Sequence, residues 1–163
     1  NTALSALDSL KDLKNIKYIT VHASGGLEML KAVTKKAKKI NKSIKVLGVT
    51  ILTSLDNKSV QEIGYKSKVE KLVLKQVSLI KKSGASGVIC SAHEAKIIRK
   101  KFKNLFIVTP GIRLPGDKAN DQKRITTPKQ AFQNKASAIV IGRSITTGSP
   151  KKNIKKLIDH LNQ

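Results

Sequence analysis

Two glycine–arginine pairs stand at the ends of apolar runs: Gly111 and Arg113 in PGIR, and Gly142 and Arg143 in IGRSI. Glycine lets backbone N–H groups approach an anion closely. Arginine can hold a phosphate through two parallel hydrogen bonds. The chemistry these residue types suggest is recognition of a phosphorylated small molecule. Each also has a plainer reading. Gly-Arg after a strand is common, and Arg113 reads equally as a solvated loop cation. His22, in VHASGG, reads as a hydrogen-bonded edge histidine, and Thr53, in LTS, as a residue satisfying a loop carbonyl. Gln122 alone says nothing. Both arginines and both glycines on two successive apolar runs together favour the phosphate.

These residues need elements to hold them. Apolar runs rich in β-branched residues predict strands over 15–24, 45–52, 87–92, 105–112 and 138–145. Helical spacing predicts helices over 26–42, with Leu27, Leu30, Ala37 and Ile40, and over 68–84, with Val69, Leu72, Val73, Gln76, Val77 and Ile80 on one face. Lys81, Lys82 and Gly84 mark the end of the second of these. Further helices are expected over 2–14, 93–103, 127–135 and 149–163. Pro128 and Pro150 stand in first turns, and Ser149 is placed as an N-cap. The pattern is five strands, each followed by a helix. Near-continuous apolar strands suit a parallel sheet covered on both faces. Two α/β architectures fit: an open doubly wound sheet, or part of a (β/α)8 TIM barrel that supplies about its last five β/α units. The initial helix with no strand before it favours the barrel.

In both architectures ligands bind at the C-terminal ends of the strands. Those ends carry His22-Ala23-Ser24-Gly25-Gly26, Thr53-Ser54, Ser91, Pro110-Gly111-Ile112-Arg113 and Gly142-Arg143-Ser144. In barrels the last two strand ends often form a phosphate site. The segment 108–128, VTPGIRLPGDKANDQKRITTP, is a long polar loop, of a kind that is usually functional or disordered.

The chain has 163 residues and reads as a single domain, 1–163. Its formal net charge is +23, which raises the question of a nucleic-acid partner. A lysine-biased surface is preferred. The only arginines are Arg99, Arg113, Arg124 and Arg143, the lysines spread over nearly every predicted helix, and aromatic residues are 3% with no tryptophan, so no stacking platform is visible. No apolar run approaches the length of a membrane span. The N-terminal stretch lacks the basic start and apolar centre of a signal peptide. Cys90 lies in the apolar run GVICSA and reads as a buried, reduced, structural thiol, which suits the cytoplasm.

VHASGG, VTILTS, GVICSAHEA, the 108–128 segment and VIGRSIT, in this order, resemble orotidine 5′-phosphate decarboxylase of the bacterial type. The TPGIR…DQKR…TP segment followed by IGRSIT is the most specific part. The resemblance implies a homodimeric (β/α)8 barrel that converts orotidine monophosphate to uridine monophosphate and CO2, with no metal and no organic cofactor. It implies that Thr53 contacts the pyrimidine, that Arg113 belongs to the ligand site, and that Gln122 reaches base and phosphate. It implies that Gly142 and Arg143 contact the phosphate. Asn1-Thr2 matches the tail of a DxKxxDIPNT stretch, whose threonine reaches the partner subunit's ligand. The 108–128 loop matches a mobile lid.

The resemblance places the catalytic Asp-Lys-Asp array in DxKxxD, directly before IPNT, and these 163 residues do not contain it. Asp12-Leu13-Lys14 imitates its start, but Lys17 stands where the second Asp is needed. The chain is therefore expected to carry most of the phosphate grip, to be inactive alone, and to need a partner chain or further strands for stability. Two other readings are kept: a related barrel enzyme acting on a sugar phosphate with a metal, and a basic non-catalytic nucleic-acid-binding protein.

Overall fold

A computed structural model describes residues 2–10, 12–13, 15–118, 121 and 123–162. The elements run α1 (Thr2–Asp8), β1 (Tyr18–His22), α2 (Gly26–Ile40), β2 (Lys45–Val49), α3 (Asn57–Glu62) and α4 (Val69–Lys82). They continue β3 (Gly87–Ile89), α5 (Ala92–Lys101), β4 (Phe106–Thr109), α6 (Pro128–Gln133), β5 (Ala138–Ile139), α7 (Arg143–Thr146) and α8 (Pro150–Asn162). The five predicted strands are present but shorter. The run 138–145 leaves the sheet after Ile139 and turns into α7, and the first helix stops at Asp8 instead of continuing to 14. Helices α3 and α7 stand where only strand ends and loop were expected.

All strands are parallel and ordered β1-β2-β3-β4-β5. A doubly wound sheet reverses its order at a switch point; this one never does, which removes that alternative. The sheet is also strongly curved. Tyr18 on β1 stacks on Phe106 on β4, with ring centroids 5.8 Å apart. Three strand spacings in a flat sheet would separate those positions by roughly 14 Å.

Helices cover one face only, which corrects the expectation of cover on both. In β1 Ile19 and Val21 pack into the core, whereas Tyr18, Thr20 and His22 are exposed. On the covered face Val46, Val88 and Ile107 meet Leu30, Val33, Val73, Val77, Ile80 and Ile98 of the helices. Each such fully buried side chain contributes about 1.5–3 kcal/mol. Gly48 is small because α4 lies against it: a Cβ there would stand 2.3 Å from Cγ1 of Ile80. Gln76 is buried within the apolar face of α4, as its spacing predicts.

Candidate functional site

Past Thr109 the chain leaves β4 through Pro110 and Gly111. Gly111 has φ 75°, a left-handed conformation that favours glycine. A Cβ there would also meet the Arg124 carbonyl oxygen at 3.0 Å and the Thr53 side chain at 3.4 Å. The outgoing limb of the loop is anchored by Ile112, fully buried against Ala92 and Ala131. The returning limb pairs with it: the Arg113 N–H donates to Thr126 O at 3.1 Å, and the Thr126 N–H to Gly111 O at 3.1 Å. The loop thus has a stitched base. Its end is fixed by a capping box, in which Thr127 Oγ1 accepts from the Gln130 N–H and the Gln130 side chain accepts from the Thr127 N–H.

Arg113 is not the solvated cation that one reading allowed. It is buried, and its guanidinium donates to Lys118 O at 3.3 Å and Ile112 O at 2.9 Å. It lines a cavity of about 260 Å3 with Asp117, Lys118, Arg143, Ser144, Thr147 and Asn153. Arg143 opens α7, which follows β5 after a connection of three residues. Asn153 holds the α7–α8 turn by donating to Ile145 O at 3.1 Å and Thr147 O at 2.8 Å. Nothing lies within 4 Å of the position a Cβ would take on Gly142, so the backbone there is open to an approaching group. Arg113, Lys118 and Arg143 make the cavity cationic. Among the described residues Arg143 pairs with Asp121, a carboxylate of the loop, and both side chains are about half exposed.

A second cavity, of about 320 Å3, is lined by Val49, Ile51, Leu52, Thr53, Ser54, Ile89, Cys90 and Pro110. Apolar walls with two hydroxyls suit a flat, partly polar ring. Cys90 is buried as its sequence context predicts, and burial pushes its thiol far above the ordinary range, which makes it unreactive. The 110–127 loop borders both cavities, through Pro110 on one and Arg113 on the other.

Four further residues hold the site, and single-sequence spacing did not reveal them. Arg124 forms a buried ion pair with Glu94 of α5 and donates to Ile51 O at 3.1 Å and Leu52 O at 3.0 Å. Burial pushes the Glu94 carboxyl above its usual range, against the pull of Arg124. Lys123 donates to Asp56 Oδ2 at 3.0 Å and Ser59 Oγ at 2.9 Å. Asp56 caps α3, and the Ser59 N–H, followed by Lys123, holds its carboxyl well below the usual carboxylate range. These partners lie 30 to 73 residues from Arg124 and Lys123 in sequence, so only the fold brings them together.

The remaining candidates separate. Thr53, Arg113, Gly142 and Arg143 gather around the two cavities and their rim. Thr2 is exposed on α1 and lines neither cavity. Gln122 lies outside the described residues. Ser91 is fully buried and caps α5, accepting from the His93 N–H at 3.3 Å. His22 is exposed on the uncovered face of β1. Among the described residues no group of three His, Cys, Asp or Glu side chains could hold a metal ion. No helix among them is long and apolar enough to cross a membrane.

A family profile described as Orotidine 5′-phosphate decarboxylase / HUMPS family matches residues 2–157. The chain is 41% identical over 144 residues to the orotidine 5′-phosphate decarboxylase of Coxiella burnetii, covering 86% of this chain and 61% of that one. It is 42% identical over 158 residues to the enzyme of that name from Buchnera aphidicola subsp. Schizaphis graminum, covering 96% and 66%. The crystal structure of orotidine 5′-phosphate decarboxylase from Lactobacillus acidophilus is similar at a TM-score of 0.81 and 34% identity, covering all of this chain and 70% of that one. The chain therefore spans 61% and 66% of the length of the two curated relatives. With its sequential order and curvature, the sheet is an arc of a (β/α)8 barrel, about five β/α units long.

Proposed function

Because this chain belongs to the orotidine 5′-phosphate decarboxylase / HUMPS family, we propose that the protein converts orotidine 5′-phosphate to uridine 5′-phosphate and CO2, a step of pyrimidine biosynthesis. The observation that carries this reading is the pair of cavities, one cationic and one apolar with hydroxyls, bordered by a single loop. A nucleotide monophosphate has the matching parts, a dianion and a flat ring.

In this reading Arg143, Gly142 and Arg113 take the phosphate, and Thr53 takes the pyrimidine, with Gln122 reaching both from the loop. The phosphate displaces Asp121 from Arg143. Loop closure over the bound nucleotide excludes water, and phosphate binding energy drives that closure. Decarboxylation breaks the bond between the ring and its carboxylate, and the electron pair left on the ring carbon takes up a proton. The resemblance assigns that proton to the lysine of a DxKxxD stretch, which does not occur among these 163 residues. The chain's own part is to bind, orient and enclose. The 41–42% identical relatives, all named as decarboxylases, favour this reading over a sugar-phosphate enzyme or a nucleic-acid-binding protein.

The proposal extends to one domain acting as a homodimer in the cytoplasm. In that dimer Thr2, which is exposed on α1, would reach the partner subunit's ligand, as the resemblance implies. The test is formation of uridine 5′-phosphate from orotidine 5′-phosphate by the full-length gene product. Stoichiometric CO2 and uridine 5′-phosphate are expected. Folded protein that binds uridine 5′-phosphate but forms none from the substrate would overturn the reaction and leave the binding site standing.

A further inference from the structure

The hydrogen-bond ladder between β2 and β3 ends where Thr50 donates to Ile89 O at 3.0 Å. Beyond it the carbonyls of Ile51, Leu52 and Thr53 are satisfied from a different direction. All three accept from Arg124: its Nη2 donates to Ile51 O at 3.1 Å and Leu52 O at 3.0 Å, and its N–H donates to Thr53 O at 3.2 Å; Leu52 O also accepts from the Leu55 N–H within the turn, at 3.0 Å. The turn carrying Thr53 and Ser54 is therefore held by the returning limb of the loop rather than by the sheet.

The other half of the same guanidinium is fixed by Glu94, on α5. The two side chains are 11% and 8% exposed. A buried ion pair is a poor means of stabilisation, since an apolar pair of similar volume often serves as well. What an apolar pair cannot do is bind two carbonyls and a carboxylate at once. That needs the rigid planar fork of arginine, which a lysine ammonium does not reproduce. Gly111 completes the arrangement, because its backbone approaches both the Arg124 carbonyl and the Thr53 side chain. The outgoing limb, the returning limb and the Thr53 turn meet at one point.

We propose that Arg124, oriented by Glu94, is a positioning residue that couples the base of the loop, residues 110–113 and 123–127, to Thr53, so that closing of the loop base and shaping of the base cavity are one event. This deepens the proposed function and rests on it for the identity of the ligand. The Arg143 side of the phosphate end is anchored separately, through Asn153 and the α7–α8 turn, whereas Arg113 rides on the loop itself. The coupling therefore acts mainly on the base end of the site.

The test uses the full chain and its variants Arg124→Met, Arg124→Lys and Glu94→Gln. Amide hydrogen exchange is read at Arg113 and Thr126, whose N–H groups close the loop base. Uridine 5′-phosphate and inorganic phosphate are titrated in parallel. Arg124→Met is expected to raise exchange at both amides at least tenfold while leaving α8 unchanged. Affinity for uridine 5′-phosphate should fall at least tenfold and that for inorganic phosphate by a clearly smaller factor, because Arg113 moves with the loop while Arg143 does not. Arg124→Lys should restore neither, although it keeps the charge. A merely structural role would lower both affinities together. A folded Arg124→Met protein with parental exchange and a parental ratio of the two affinities overturns the proposal, as does full rescue by lysine. If Arg124→Met does not fold, Glu94→Gln decides: at least threefold faster exchange at the loop base supports the coupling, and parental exchange overturns it. A parent chain that binds phosphate but not uridine 5′-phosphate would sink the functional reading instead, and the exchange arm would still decide the coupling.

Discussion

Arg143 carries the largest single expectation at the scale of residues. It is half exposed, faces the cationic cavity and already holds a carboxylate, that of Asp121. Hydrogen bonds to charged groups are worth about 1.5–3 kcal/mol, and each 1.4 kcal/mol is about tenfold in affinity. Arg143→Ala should therefore weaken uridine 5′-phosphate at least tenfold by titration calorimetry, with the thermal midpoint unchanged. Unaltered affinity would place the phosphate elsewhere. Arg143 and Gly142 were legible in the sequence because two adjacent residues after an apolar run already state their chemistry. Arg113 was legible as a candidate, but its burial was not, since its guanidinium turns back onto the carbonyls of Ile112 and Lys118 in the folded loop. Arg124 and Glu94 were not legible at all. Arg124 looks like one more of 33 Lys and Arg residues and Glu94 like one of 10 Asp and Glu residues, and only the parallel sheet brings position 124 to positions 51–53 and 94.

At the scale of elements, the short helix α3 depends on Asp56, which also tethers Lys123 of the loop. The folded pKa of Asp56 is depressed. Its contribution is thus fully present above the unfolded carboxylate value of about 4, and it is lost as pH falls through the lower folded value. Exchange protection of the Ser59 amide should hold from neutral pH down to the ordinary carboxylate range and fail only in stronger acid. Failure near neutrality would show that the cap does not hold α3. Strand β3 offers a second test. A Cβ on Gly87 would stand 2.4 Å from the Phe106 carbonyl oxygen, which is backbone and cannot swing away. Gly87→Ala should cost about 1–3 kcal/mol, read as a lower midpoint in urea. The five strands were legible as near-continuous apolar runs rich in β-branched residues, and the long helices by their helical spacing. Helices α3 and α7, of 6 and 4 residues, were not, because each is barely longer than one turn and owes its existence to a cap or a neighbour. The run 138–145 looked like one strand because Ile139, Val140 and Ile141 are apolar, but only two of its residues find a partner on β4.

For the whole molecule, strand order decided what composition could not. Alternating strands and helices left a doubly wound sheet and a barrel both open. The unreversed order and the Tyr18–Phe106 stack, in which side chains three strands apart bring their rings to 5.8 Å, belong to the barrel. The charge of +23 then reads as a field that draws in an anionic nucleotide, screened over about 10 Å at 0.1 M salt. The account comes down to whether one site takes both a phosphate and a pyrimidine. The most direct measurement is a calorimetric titration of the full chain with uridine 5′-phosphate and with uridine, at low salt. The predicted result is saturable binding of the nucleotide at least tenfold tighter than the nucleoside, with excess inorganic phosphate competing. Equal binding of the two, or none of either by the folded chain, would contradict it.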